Sequence, residues 1–172
     1  MELVLGIAIM ESMRINSGFT LVEMLVVVAI LLILSTAGLS NFIFSIVKSH
    51  DTQRKQDLAT IVKGIEAFVN DFGSYPDGDA AGRMVACDDD NSGLVACNFG
   101  GSMKAYFGGT AQTYLSRLPA DPVPGQVYFY EKTASGFNLY ASLENANDPG
   151  IKTGLSTSCG TGITCNYQLT RP

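Results

Sequence analysis

A single carboxylate at the mouth of a long uncharged apolar run is the strongest constraint on what this chain can become. The run opens with Gly18-Phe19-Thr20-Leu21-Val22-Glu23, and no charged residue follows from Met24 to Val47. As a helix, residues 24–47 would reach about 36 Å, more than the ~30 Å hydrocarbon core of a bilayer. A charge in such a segment costs roughly 2.5–3.5 kcal/mol on insertion scales. Glu23 therefore needs a partner, and the segment offers none of its own. The natural counter-charge is a free α-amine created by cutting the chain between Gly18 and Phe19.

Two plainer readings compete, a signal anchor and a removable secretory signal. A secretory signal places its small-residue cleavage site after the apolar run. Ser35-Thr36-Ala37-Gly38 imitates such a site, but apolar residues continue past it through Phe42, Ile43, Phe44, Ile46 and Val47. A carboxylate is also a poor choice inside a disposable hydrophobic core.

The stretch Gly18-Phe19-Thr20-Leu21-Val22-Glu23-Met24-Leu25-Val26-Val27 resembles the N-terminal signature of type IV pilins and type II secretion pseudopilins. The resemblance implies that a prepilin peptidase cuts between Gly18 and Phe19 and methylates the Phe19 amine. It further implies that Glu23 pairs with the Phe19 amine of a neighbouring subunit. Methylation keeps the ammonium charge, and pairing in a low-dielectric bundle offsets burial of both groups. The implied partners are other copies of the chain in a homo-oligomeric filament, an inner-membrane assembly platform, minor (pseudo)pilins and the membrane itself. The leader departs from the family pattern. Residues 3–10 are apolar and Glu2 and Glu11 are acidic, whereas a start at Met13 would give a short leader carrying Arg14.

Beyond Lys48 the pattern becomes amphipathic. Leu58, Ile61, Val62, Ile65, Phe68 and Phe72 follow the spacing of one helical face, and Arg54, Lys55, Asp57, Lys63, Glu66 and Asp71 fall largely off it. Gly73-Ser74-Tyr75-Pro76 supplies a stop signal. Phe19 to Phe72 would make about 80 Å of nearly continuous helix. Its weakest point is Gly38, where any melting within a filament should fall. Residues 74–125 read as a connecting region with a short helix near Met103–Leu118. Residues 126–131 and 137–143 alternate and are aromatic, with Thr133-Ala134-Ser135-Gly136 between them, which predicts a β-hairpin. Val127 and Phe129 would share one face, and Phe137, Leu139 and Ala141 another. Asn166–Thr170 would add a strand. The expected fold class is α+β: a long N-terminal α-helix, transmembrane and then amphipathic, packed on a small antiparallel sheet. The expected organisation is a cleaved leader (1–18), a transmembrane and polymerisation helix (19–47), the amphipathic half of that helix (48–73), the connecting region (74–125) and the sheet with a C-terminal disulfide loop (126–172).

Cysteines stand at 87, 97, 159 and 165. Four cysteines allow three pairings, and the short loops Cys87–Cys97 and Cys159–Cys165 are preferred. Neither spacing resembles a zinc knuckle. Disulfides place the domain outside the cytoplasm, so the chain would sit in the inner membrane in a single pass before entering an extracytoplasmic filament.

Tyr114–Pro122, which contains Leu118-Pro119-Ala120-Asp121-Pro122, is similar to the major pseudopilins of type II secretion, as are Ala67–Pro76 and the hairpin. That resemblance implies a Ca²⁺ at the C-terminal loop, with Glu144, Asn147, Asp148 and the Leu118 carbonyl as ligands. A polar Asn/Asp turn is the competing reading, favoured slightly. The tail from Ser158 to Cys165 replaces the family's usual one, and a disulfide there could fix the loop in place of a metal. Asp88-Asp89-Asp90-Asn91-Ser92-Gly93 looks like the first half of a calcium loop but has Phe99 where the closing glutamate would stand, and it reads better as a solvated loop.

No catalytic constellation is present, and His50, the one histidine, reads as a solvated or filament-contact residue. The net charge of −5 becomes −4 once Glu2, Glu11 and Arg14 leave with the leader, 14 acids against 10 bases. With no basic block, nucleic acid is not an expected partner. The chain reads as a non-enzymatic filament subunit, in a type II secretion pseudopilus acting in protein export, or alternatively in a type IV pilus for adhesion, motility or DNA uptake. A stand-alone anchored binding domain is a third class, and Glu23 argues against it.

Overall fold

The computed structural model describes residues 18–172, with the backbone alone for residues 36–41. It divides at Phe42/Ile43 into two compact units. One helix, α1 (Leu21–Phe72), enters both. It begins at Thr20, whose side chain caps it, and it passes through residues 35–41 without a break. It ends where Gly73 adopts φ +73° and donates its N–H to the Val69 carbonyl at 2.8 Å. A left-handed residue that returns one bond to the last turn is a favourable helix stop, and glycine takes that conformation without a Cβ penalty.

In the first unit every described side chain from Phe19 to Ser35 is exposed. Among the described residues no helix is long and apolar enough to cross a membrane. The side chains of residues 36–41, which the sequence reading places within its span, lie outside the described set. The leader residues 1–17 do as well.

The second unit is α+β. Its strands are β1 (Asp77–Gly78), β2 (Met84–Cys87), β3 (Val95–Ala96), β4 (Met103–Phe107), β5 (Thr110–Leu115), β6 (Phe129–Lys132), β7 (Phe137–Ala141) and β8 (Tyr167–Arg171). They form three small sheets, ordered β1-β2-β3, β4-β5 and β6-β7-β8, with every pairing antiparallel. The core is built from Leu58, Ile61, Val62, Ile65 and Phe68 of α1 against Met84, Met103, Leu118, Tyr128, Tyr130, Phe137 and Leu139. Phe72 stacks on Phe68 at 4.1 Å between ring centroids.

Three sequence expectations are corrected. The region near Met103–Leu118 is not a helix but the hairpin β4–β5. Its two-residue turn, Gly108-Gly109, has φ +60° and +79°, the geometry that tight hairpins of right-handed twist require. In the aromatic hairpin, Tyr128 and Tyr130 face inward, while Val127 is exposed and Phe129 turns to a satellite cluster around Tyr140, Cys159 and Cys165. The inward tyrosines succeed because each hydroxyl finds an acceptor: Tyr128 donates to the half-buried Asp57 at 2.7 Å and Tyr130 to the buried Pro76 carbonyl at 2.7 Å. Finally, Arg54 is not off the buried face but is completely buried.

Two disulfides close, Cys87–Cys97 and Cys159–Cys165. The first ties β2 to the end of β3. The second folds the tail onto residues 125–127, where the Val127 N–H donates to the Cys159 carbonyl at 2.9 Å.

Candidate functional site

The N-terminal site is a reciprocal helix cap. The Glu23 N–H donates to Thr20 Oγ1 at 3.2 Å, and Glu23 Oε2 accepts both the Thr20 N–H and the Thr20 hydroxyl, each at 3.0 Å. This is a capping box: the side chain before the helix holds one unpaired amide, and a glutamate three residues on returns to hold another. The positive end of the helix dipole favours a carboxylate at the same place. The expectation that the segment offers Glu23 no partner is thereby corrected, because Thr20 supplies two donors. The signal was legible as Thr-x-x-Glu immediately before an apolar run. Gly18 and Phe19 precede the helix and are exposed, so the Gly18–Phe19 bond lies in non-helical chain.

The calcium ligands implied by resemblance lie at a second site, in the second unit. Glu144 Oε1 meets the Arg54 guanidinium at 2.8 Å and His50 Nδ1 at 3.0 Å. Both Asp148 oxygens take the Lys55 ammonium at 2.7 Å. The Leu118 carbonyl accepts the Gly100 N–H at 2.7 Å, and the Asn147 N–H donates to Asn145 Oδ1 at 3.2 Å. Calcium requires six to eight oxygens converging at 2.3–2.6 Å. Here the carboxylates of that set are separately engaged by side-chain cations, and the donor set does not fit the ion. Among the described residues no group of three or more His, Cys, Asp or Glu side chains is arranged to hold a metal.

Arg54 is the centre of this site. Its Nε and second terminal nitrogen bind the two Asp121 oxygens at 2.8 and 3.0 Å, and its first terminal nitrogen reaches Asp51 at 2.9 Å. Burial disfavours the charged guanidinium, but the bonds to Asp121, Glu144 and Asp51 outweigh it and raise the Arg54 pKa further. Asp51 also accepts the Glu144 and Asn145 N–H groups at 2.8 and 2.9 Å. Asp148 is held below the usual carboxylate range, chiefly by its bond to Lys55. Sequence reasoning missed Asp51 and Arg54. The apolar row Leu58, Ile61, Ile65, Phe68, extended backwards in steps of four and three, lands on both.

Asp88 closes its own loop by accepting N–H groups from Asp90, Ser92 and Gly93 at 3.2–3.3 Å.

Residues 13–39 match the prokaryotic N-terminal methylation motif. That motif is the type IV pilin-like signal, and it covers Gly18, Phe19, Thr20 and Glu23. It points to a structural subunit that is processed at its N-terminus and anchored in a membrane. No curated protein and no solved structure matches the chain.

Proposed function

We propose that this chain is a subunit of a helical pilus-like filament assembled from the inner membrane, and specifically a type II secretion pseudopilin acting in protein export. The observation that carries the reading is the exposed apolar helix from Leu21, preceded by the methylation motif and opened by one carboxylate. Outside a membrane or a bundle of like helices that surface would be an aggregation hazard. Residues 24–47 would span the bilayer until the subunit is extracted, and neighbouring helices would then replace lipid.

Prepilin peptidase cuts between Gly18 and Phe19 and methylates the new amine. Glu23 of one subunit then pairs with the Phe19 ammonium of the next and sets the axial register, a task for which a buried polar pair is well suited. The domain carrying both disulfides faces outward. The test is expression of the full chain in a host that carries the assembly machinery. The mature protein should begin at N-methyl-Phe19 by mass spectrometry. Glu23→Ala should be cleaved normally and fail to enter filaments. A chain that keeps its leader, or a Glu23→Ala variant that assembles normally, counts against the reading.

The alternative, a type IV pilus subunit for adhesion, motility or DNA uptake, is favoured by the C-terminal loop. Its residues 143–150 are held by Arg54 and Lys55 and the tail beyond them is closed by Cys159–Cys165, unlike the calcium loop that resemblance to the major pseudopilins implies. Deleting the gene separates the two. Loss of exoprotein secretion supports the pseudopilus, and loss of surface fibres with secretion intact supports the pilus.

A further inference from the structure

We propose that Arg54 and Lys55 act as an internal replacement for a divalent cation, so that the loop 143–150 is clasped to α1 by two side-chain cations and needs no metal. This stands on the extracytoplasmic unit alone and is independent of the filament reading.

Neighbouring helix positions diverge by about 100°, so the two cations enter the loop from different sides. Arg54 goes inward and offers a planar fork of donors, which suits several carboxylates at once. It bridges three parts of the chain: Asp51 on its own helix, Asp121 in the Leu118–Pro122 turn, and Glu144 at the start of the loop. Lys55 goes sideways to Asp148 near the loop's far end and lies 5.6 Å from the Tyr167 ring centre.

The clasp holds four carboxylates with two side-chain cations, and backbone donors complete the compensation. Val123 donates to Asp121, Glu144 and Asn145 donate to Asp51, and Gly150 donates to Asp148. His50 faces Glu144 from the preceding turn of the helix. A calcium ion bridges distant segments by collecting their oxygens around one point. This arrangement bridges the same kind of segments but spreads the positive charge over two stems rooted in α1. A divalent ion could enter only by expelling a buried guanidinium or by separating Lys55 from both Asp148 oxygens.

The test is hydrogen exchange on the full-length protein in detergent micelles, read at residues 143–150 against the β6–β7 hairpin. In the wild type, exchange at 143–150 should be the same in millimolar EGTA and in millimolar CaCl2. Arg54→Gln and Lys55→Gln should each speed it by about tenfold or more while leaving β6–β7 less affected. Should Arg54→Gln fail to fold, Lys55→Gln decides, because Lys55 is only half-buried. Faster exchange of 143–150 in wild type on chelation, slower exchange on adding calcium, or no change in Lys55→Gln would each overturn the proposal.

Discussion

At the scale of residues, Glu23 carries two tasks that one substitution can separate. Within the chain it closes a capping box with Thr20, and in the proposed filament it also neutralises a neighbour's amine. Glutamine serves in a capping box as glutamate does but carries no charge. Glu23→Gln should therefore keep the helix start, be cleaved normally and still drop out of filaments, as scored by pelleting of sheared fibres. Wild-type assembly of Glu23→Gln would remove the charge pairing and leave only the cap. Thr20→Ala should cost about 0.5–2 kcal/mol of local helix stability, visible as faster amide exchange over residues 21–24. Tyr128 makes a comparable case in the second unit. Tyr128→Phe leaves Asp57 without its buried donor, and a loss of about 1–3 kcal/mol is expected in chemical denaturation.

At the scale of elements, α1 is shaped by what it must admit as well as by its apolar row. Gly64 stands where a Cβ would meet Leu115 of β5 at 2.5 Å, so the missing side chain is the seat of the β4–β5 hairpin. Gly64→Val should destabilise by about 1–3 kcal/mol through overpacking, although valine is the better helix former. Gly64→Val combined with Leu115→Ala should recover part of the loss in thermal melts, and an additive double variant would show that the two do not touch. The same element shows how far the sequence could be read. Periodicity located the buried face from Leu58 to Phe72, because that signal is local and repeats along one helix. The hairpin was missed although Gly108-Gly109 marked its turn, because its exposed strand Thr110–Leu115 lacks the apolar alternation that identifies a half-buried strand. The buried Arg54 was missed because a charge is read as solvated unless its partners are known, and two of the three, Asp121 and Glu144, lie 67 and 90 residues away.

At the scale of the whole molecule, titration should set the limits of stability at both ends of the pH range. Burial pushes the phenols of Tyr114, Tyr128, Tyr130 and Tyr140 up, with bonds to Asp71, Asp57 and Glu131 adding to it for the first, second and fourth, and Tyr140 rises to about 12. A raised folded value means that the stability is fully present below the unfolded value, near pH ~10, and is lost as pH rises towards the folded values. Thermal midpoints should fall above about pH 10, with phenolate absorbance appearing together with unfolding rather than before it. At the acid end the sign reverses for Asp148, which Lys55 holds low. Its contribution is present above about pH 4 and disappears as pH falls through the folded value. Asp57 opposes this, since burial raises its value and lets the folded state keep its proton longer. Lys55→Gln should flatten the acid limb of the midpoint curve.

The sequence alone determined the parts of this protein whose physics is local. These are the uncharged apolar run, the carboxylate at its head, the helix with its Gly73 stop, the preference for short-loop cysteine pairs and the aromatic hairpin. Each depends on periodicity or on groups a few residues apart, which a single chain displays in order. Tertiary structure decided what depends on partners distant in sequence. It chose which side of the hairpin faces inward, because the hydroxyls of Tyr128 and Tyr130 find acceptors there at Asp57 and the Pro76 carbonyl. It decided that Asp121, Glu144 and Asp148 face Arg54 and Lys55, because a carboxylate's counter-ion is whichever cation the fold brings within bonding distance.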